Sequence, residues 1–340
     1  MDNRPPLLEV QDLQTYFFLD EGTVRAVDGA SFTIRRGKTL GVVGESGCGK
    51  SVMAMSILRI VPQPGRIVGG KILFHRQHSN GGASRLTETV DLTSLDPRSR
   101  EIRSIRGAEI SMVFQEPMTA LSPVHTIGNQ IGEVITLHQE VSEEVARGKV
   151  IEMLERVGMP QPQRTIDRYP FELSGGMRQR AMIAMAVSCH PTLLIADEPT
   201  TALDVTTEAQ ILQLMRNLQR ELGMAIMYIT HNLGVVAQMT EEVIVMYLGK
   251  VVEVADVDSI FFDARHPYTR ALLRSIPQLG RKARQQLETI KGSVPDPYNI
   301  PPGCPFHPRC NEARRGVCDR EDLPWVEVAP GHKVRCHRYA

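Results

Sequence analysis

The chain has 340 residues, enough for one large α/β domain with an appendage or for two modest domains. Its apolar fraction of 42% and charged fraction of 23% are those of an ordinary soluble globular protein with ample core material. The 39 basic and 39 acidic residues cancel, which argues against nucleic acid or an anionic membrane surface as the main partner.

The start, Met1-Asp2-Asn3-Arg4-Pro5-Pro6, lacks the basic-then-apolar pattern of a signal peptide. The opening is β-rich, with strands expected at 7–10, 15–18 and 30–34. Thr39-Leu40-Gly41-Val42-Val43 is an apolar run ended by glycine, as a buried strand requires. A helix is expected from Lys50 to about Ile60, an exposed polar loop over 75–89, and a strand over 109–114. From about 127 to 186 the helical period dominates, clearest at 141–157 with Ser142 as N-cap. The longest apolar stretches, such as 181–189, fall far short of the ~18 residues of a membrane span. Strand and helix then alternate, with strands at 193–196, 225–230 and 242–247 and a helix at 206–222. That alternation predicts a mostly parallel sheet covered on both faces, with the helical block as an inserted subdomain. After about Ile276, prolines punctuate a region of little periodicity, expected to be a small appendage held by something other than a large core.

Gly44-Glu45-Ser46-Gly47-Cys48-Gly49-Lys50-Ser51 fits G-x-x-x-x-G-K-[ST], between a predicted strand and a predicted helix. Glycines let backbone N–H groups converge on phosphate oxygens, and the helix N-terminus adds positive charge. Lys50 is placed to reach the β- and γ-phosphates and Ser51 to ligate Mg²⁺; Val52 adjoins this set. Leu193-Leu194-Ile195-Ala196-Asp197-Glu198 is an apolar strand ending in two acids. Asp197 suits Mg²⁺, and Glu198 suits the polarisation of an attacking water. Either motif alone has a bland alternative, a glycine-rich turn or a strand-end acid. Together they point to a nucleotide held at the carboxyl end of one parallel sheet.

Leu173-Ser174-Gly175-Gly176-Met177-Arg178-Gln179-Arg180 resembles the signature sequence of the ABC ATPases. In that family Ser174, Gly175 and Gly176 would contact the ATP held by an opposite subunit, so the working unit is expected to be a dimer with two ATP molecules. The resemblance further implies that Gln115 is the Q-loop glutamine sensing Mg²⁺ and water, Asp204 the D-loop aspartate and His231 the switch histidine. It makes Phe17 the aromatic that stacks on adenine, with Tyr16 as fallback. It thus implies ATP and Mg²⁺ as cofactors, Glu198, His231 and Gln115 as catalytic residues, and Ser51, Gln115 and Asp197 around the metal.

Over about residues 7–280 the chain looks most like the peptide-importer branch, which includes dipeptide, oligopeptide and nickel uptake ATPases. Phe114-Gln115-Glu116-Pro117-Met118, Arg265-His266-Pro267-Tyr268-Thr269 and Gly292-Ser293-Val294-Pro295 carry that likeness. Three departures stand out. Met177 replaces a common glutamine, Asn232 follows the histidine where aspartate is frequent, and Cys48 inside the phosphate loop suggests sensitivity to thiol reagents.

Cys304, Cys310, Cys318 and Cys336 are spaced C-x5-C-x7-C-x17-C. In a reducing cytosol such a cluster reads as a metal site. The irregular single spacings favour a [4Fe–4S] cluster, a pattern that members of the peptide branch resemble. Zn²⁺, with His307 and His337 as spare ligands, and free structural thiols stay open.

The expected architecture is an α/β P-loop core with an N-terminal antiparallel β subdomain. An ATPase domain would span 1–280, with the helical subdomain at about 127–186, and a cysteine-containing appendage 281–340. The expected role is the ATP-hydrolysing subunit of an importer for di- or oligopeptides. Nickel or oligosaccharide import, or a soluble non-transport ABC ATPase, are the alternatives. The partners so implied are a second ATPase subunit in a heterodimer, two transmembrane permease subunits and an extracytoplasmic substrate-binding protein, with no nucleic acid. The chain would sit peripherally on the cytoplasmic face of the cell membrane.

Overall fold

A computed structural model describes residues 6–79, 85–201, 203–275 and 290–340. By contact the chain forms two compact units, one of residues 1–7, 34–38 and 94–228, the other of residues 8–33, 39–93 and 229–340.

The first unit holds the helical block. Helices Ile127–His138, Glu143–Arg156 and Gly175–Val187 pack on one another. Ile127, Ile131 and Ile135 recur every fourth residue and are buried, which gives the first of them one apolar stripe. Each helix begins at a hydroxyl cap: Thr126, Ser142 and Ser174 accept the backbone N–H three residues on. Ser142 is therefore the cap that the sequence predicts. Strands Ile110–Val113 and Leu193–Asp197 pair in parallel, Ile110 opposite Leu193 and Val113 opposite Ala196. Strand Ala225–Ile229 lies beside the latter. All three are buried along their length, as strands covered on both faces must be. Helix Val205–Leu222 ends at Gly223 in the left-handed conformation.

The second unit carries a four-stranded antiparallel sheet in the order Gly22–Ile34, Leu8–Leu19, Gly65–Ser79, Arg85–Asp91. The exposed loop expected over 75–89 is corrected here: His75 pairs with Thr89 and Ser79 with Arg85, so most of that stretch is a hairpin. Residues 80–84 lie outside the described ones. Polar residues mislead because one face of the hairpin is solvated while His75 bonds Glu9 and Thr89 across the sheet. The same unit holds five strands in the order Val326–Ala329, His332–Val334, Lys250–Asp256, Glu242–Tyr247, Thr39–Val43. Thr39–Val43 runs parallel to Glu242–Tyr247, and the other neighbours are antiparallel.

The C-terminal segment is seated on this sheet. Two of its strands extend this sheet, and Phe306, 2% exposed, packs with Tyr247 and Tyr268. Pro277, one of the prolines that marked the change of character, lies outside the described residues. Among the described residues no helix is long and apolar enough to cross a membrane.

Candidate active site

The predicted site residues fall into two sets, one in each unit. In the second unit the phosphate loop leaves strand Thr39–Val43 and enters helix Lys50–Ile57. Gly49 caps the helix at φ 101°, and a Cβ there would lie 1.9 Å from the Ala26 carbonyl oxygen, so only glycine fits. Lys50, 5% exposed, folds back to donate to the carbonyls of Gly44 (3.0 Å) and Glu45 (3.1 Å). Its ammonium is thus held over the loop that would receive the phosphates. Ser46 and Gly47 are exposed at the tip, and Ser51 and Val52 are half-buried on the first helical turn. Cys48 is 3% exposed and burial pushes its thiol pKa up, so the expected thiol sensitivity is corrected: a buried, protonated sulfur is a poor nucleophile.

The chain after strand Ala225–Ile229 returns to the base of this loop, where Thr230 N–H donates to the Val42 carbonyl at 3.2 Å. His231 follows, exposed. Asn232 caps helix Leu233–Met239, its Oδ1 accepting Gly234 N–H at 3.0 Å. Aspartate would cap as well, so the departure keeps the backbone geometry.

Phe17 and Tyr16 take opposite faces of their strand. Phe17 lies against Gly65, where a Cβ would come within 2.6 Å of its ring. Tyr16 donates its hydroxyl to Asp28 at 2.7 Å under the Arg25 guanidinium, on the wall of a polar cavity of about 580 Å³. Burial and the Asp28 contact push its pKa up to about 12.

In the first unit, Asp197 ends its strand at 4% exposure. Glu198 follows with φ 46°, a left-handed conformation uncommon for a non-glycine residue. Its carboxylate accepts the Gln115 amide at 3.2 Å and the Thr201 hydroxyl at 3.1 Å. The structure thus brings Gln115 and Glu198 together. Thr201 is a partner that sequence reasoning missed, although it lies three residues on. Ser174 caps the signature helix through Met177 N–H. Gly176 sits where a Cβ would meet Thr207 at 2.8 Å, so the start of helix Val205–Leu222 approaches closely. Asp204 caps that helix, bonding Thr207 through backbone (3.0 Å) and hydroxyl (2.7 Å), and these contacts hold its pKa below the usual range. Ala202 lies outside the described residues.

Cys304, Cys310, Cys318 and Cys336 line one cavity of the second unit, together with His266, His307 and His337. Burial raises the Cys304 thiol to about 12. Among the described residues no three His, Cys, Asp or Glu side chains converge closely enough to hold a single metal ion.

A family profile described as ABC transporter matches residues 27–201, and one described as oligopeptide/dipeptide transporter, C-terminal region, matches residues 252–318. The oligopeptide transport ATP-binding protein AppD of Bacillus subtilis is 48% identical over 333 residues, covering 98% of this chain and 97% of its own. The dipeptide transport ATP-binding protein DppD of the same organism is 46% identical over 330 residues, covering 97% of this chain and 91% of its own. Among solved structures, the dimeric post-hydrolysis state of the ATP-binding cassette MJ0796 bound to ADP and Pi is similar. It has a TM-score of 0.60 and 25% identity, over 74% of this chain and 98% of that one. The chain therefore belongs to the ABC transporter ATPases, in the group that carries the oligopeptide/dipeptide transporter C-terminal region.

Proposed function

We propose that this chain hydrolyses ATP to drive the import of di- or oligopeptides. The observation that carries the chemistry is Glu198, strained at φ 46° and oriented by Gln115 and Thr201. Its carboxylate accepts a proton from the attacking water as the bond to the γ-phosphorus of ATP forms. The bond to ADP then breaks, and ADP and phosphate leave. Lys50 stabilises the transferring phosphoryl group, and His231 contacts it. Ser51, Gln115 and Asp197 offer oxygen donors that would hold Mg²⁺, a hard cation that would neutralise phosphate charge there. Ser174, Gly175, Gly176 and Asp204 would face the nucleotide of a second ATPase subunit, while Phe17 would stack on adenine.

Peptide as substrate is supported by the AppD and DppD likenesses and by the match to the C-terminal region of that branch. Two membrane permease subunits, an extracytoplasmic binding protein and a peripheral position at the cytoplasmic membrane face complete the assembly.

The four cysteines are proposed to hold a [4Fe–4S] cluster. Four thiols lining one cavity, at spacings without a C-x₂₋₄-C pair, support the cluster over Zn²⁺. Iron, sulfide and zinc content after anaerobic purification checks this choice.

The test of function is capture of tagged Glu198→Gln protein, loaded with ATP, from its native membranes. Recovery of two multispanning subunits and a second ATPase is expected, followed by uptake assays with labelled peptides and with nickel. Recovery of ribosomal or DNA-associated proteins alone would sink the transport reading.

A further inference from the structure

The phosphate loop carries a carboxylate as its second residue, which should repel the polyanion the loop is built to hold. Glu45 is not left unpaired. Arg309, 264 residues away in sequence, forks onto it, with Nη1 to Oε2 at 2.7 Å and Nη2 to Oε1 at 3.2 Å. The Arg309 side chain is 5% exposed, and all three of its nitrogens are used. Nη1 also reaches the Tyr247 hydroxyl (3.2 Å), Nη2 the Ile290 carbonyl (3.5 Å) and Nε the Lys291 carbonyl (3.2 Å). The guanidinium lies over the Tyr247 and Phe306 rings at 5.8 and 5.9 Å. A second tie is independent of charge. The backbone N–H of Glu45 donates to the hydroxyl of fully buried Tyr268 at 2.8 Å. Tyr268 in turn packs against Tyr247 and Phe306, with ring centroids 4.6 and 5.3 Å away. Both side group and peptide of Glu45 are therefore fixed by the aromatic cluster on which the C-terminal segment is seated.

We propose that Arg309 and Tyr268 are positioning residues of the phosphate loop, acting through Glu45, so that the C-terminal segment completes the ATP site. The proposal rests on the reading of residues 44–51 as the phosphate cradle. Arg309 neutralises the one carboxylate of the loop and holds it in a fixed pair. Tyr268 sets the peptide before nucleotide arrives, and both effects raise affinity without touching the ligand.

The test is ATP affinity of the full chain, by equilibrium titration, with steady-state turnover and melting temperature recorded for each variant. Arg309→Ala is expected to weaken ATP binding roughly ten- to a hundred-fold, with kcat at saturating ATP changed less than about threefold. Arg309→Lys keeps the charge without the fork and should recover part of the loss. The decisive comparison is Arg309→Ala with Glu45→Gln. The double variant should bind ATP more tightly than Arg309→Ala alone, because the freed carboxylate is gone. A merely structural Arg309 predicts a lower melting temperature, unchanged affinity of the folded protein and no rescue by Glu45→Gln; that pattern overturns the proposal. Should Arg309→Ala not fold, Tyr268→Phe carries the test. It keeps the ring, and a rise of a few-fold in the ATP dissociation constant is expected, while an unchanged constant overturns the proposal. Lys50→Ala separates the two levels. Unchanged ATP affinity in Lys50→Ala overturns the phosphate-loop reading and the proposal with it. Lost affinity there, beside unchanged affinity in the Arg309 and Tyr268 variants, overturns the proposal alone.

Discussion

Gln115 donates its side-chain amide to Glu198 across 3.2 Å, joining the loops that follow two adjacent parallel strands. The pair orders a carboxylate whose backbone is already held at φ 46°. Glu198→Gln keeps shape and the Thr201 contact but not the basic oxygen. Hydrolysis should fall by about 10²–10⁴-fold, with ATP affinity within a few-fold of the parent. Single-turnover kinetics beside an equilibrium titration separates the two quantities.

Gln115→Ala leaves the base in place and removes one of its orienting partners. Turnover should drop by about ten-fold or more but less than in Glu198→Gln, because an orienting hydrogen bond and one proposed Mg²⁺ donor are lost and not the proton acceptor. Equal losses in the two variants would contradict Glu198 as the sole proton acceptor.

Asn232→Ala deletes the cap of helix Leu233–Met239. A stability loss of about 1 kcal/mol is expected from chemical denaturation, whereas Asn232→Asp should be neutral in stability because either side chain accepts Gly234 N–H.

Cys48 should react slowly with maleimide near neutral pH despite its place in the phosphate loop. The side chain is 3% exposed and burial raises its thiol pKa. Mass spectrometry of the labelled chain tests this, since rapid modification of Cys48 ahead of Cys189 would contradict the burial.

Stability should fall in acid through Glu253, a fully buried carboxylate on the strand that pairs with His332–Val334. Burial alone would raise its pKa. Hydrogen bonds from His332 Nε2 (2.8 Å) and the backbone N–H groups of Arg265 (2.6 Å) and His266 (3.0 Å) outweigh that and hold it below 4.5. The unfolded chain therefore takes up this proton at higher pH than the folded one. The stabilisation is complete above the unfolded value of 4.5 and is lost as pH falls through the lower folded value. Melting curves across this range should show a steeper acid decline for the parent than for Glu253→Gln, which begins less stable at neutral pH.

Short-range rules carried much of the protein. Strands 39–43 and 242–247 are buried apolar runs of strand length, so their identity is written locally. Ser142 caps a helix because a hydroxyl three residues before a backbone N–H is a local geometry, and the phosphate loop is legible because its glycines and lysine are contiguous. The hairpin at 75–79 and 85–89 was not legible, since its polar residues pair only across a sheet edge. Tertiary structure alone decided that Gln115 meets Glu198, 83 residues on, that Cys48 is sealed from solvent, and that Arg309 and Tyr268 converge on Glu45. Composition and periodicity specify which faces are apolar. They do not specify which distant polar groups those faces carry into contact, because that depends on the packing of whole elements.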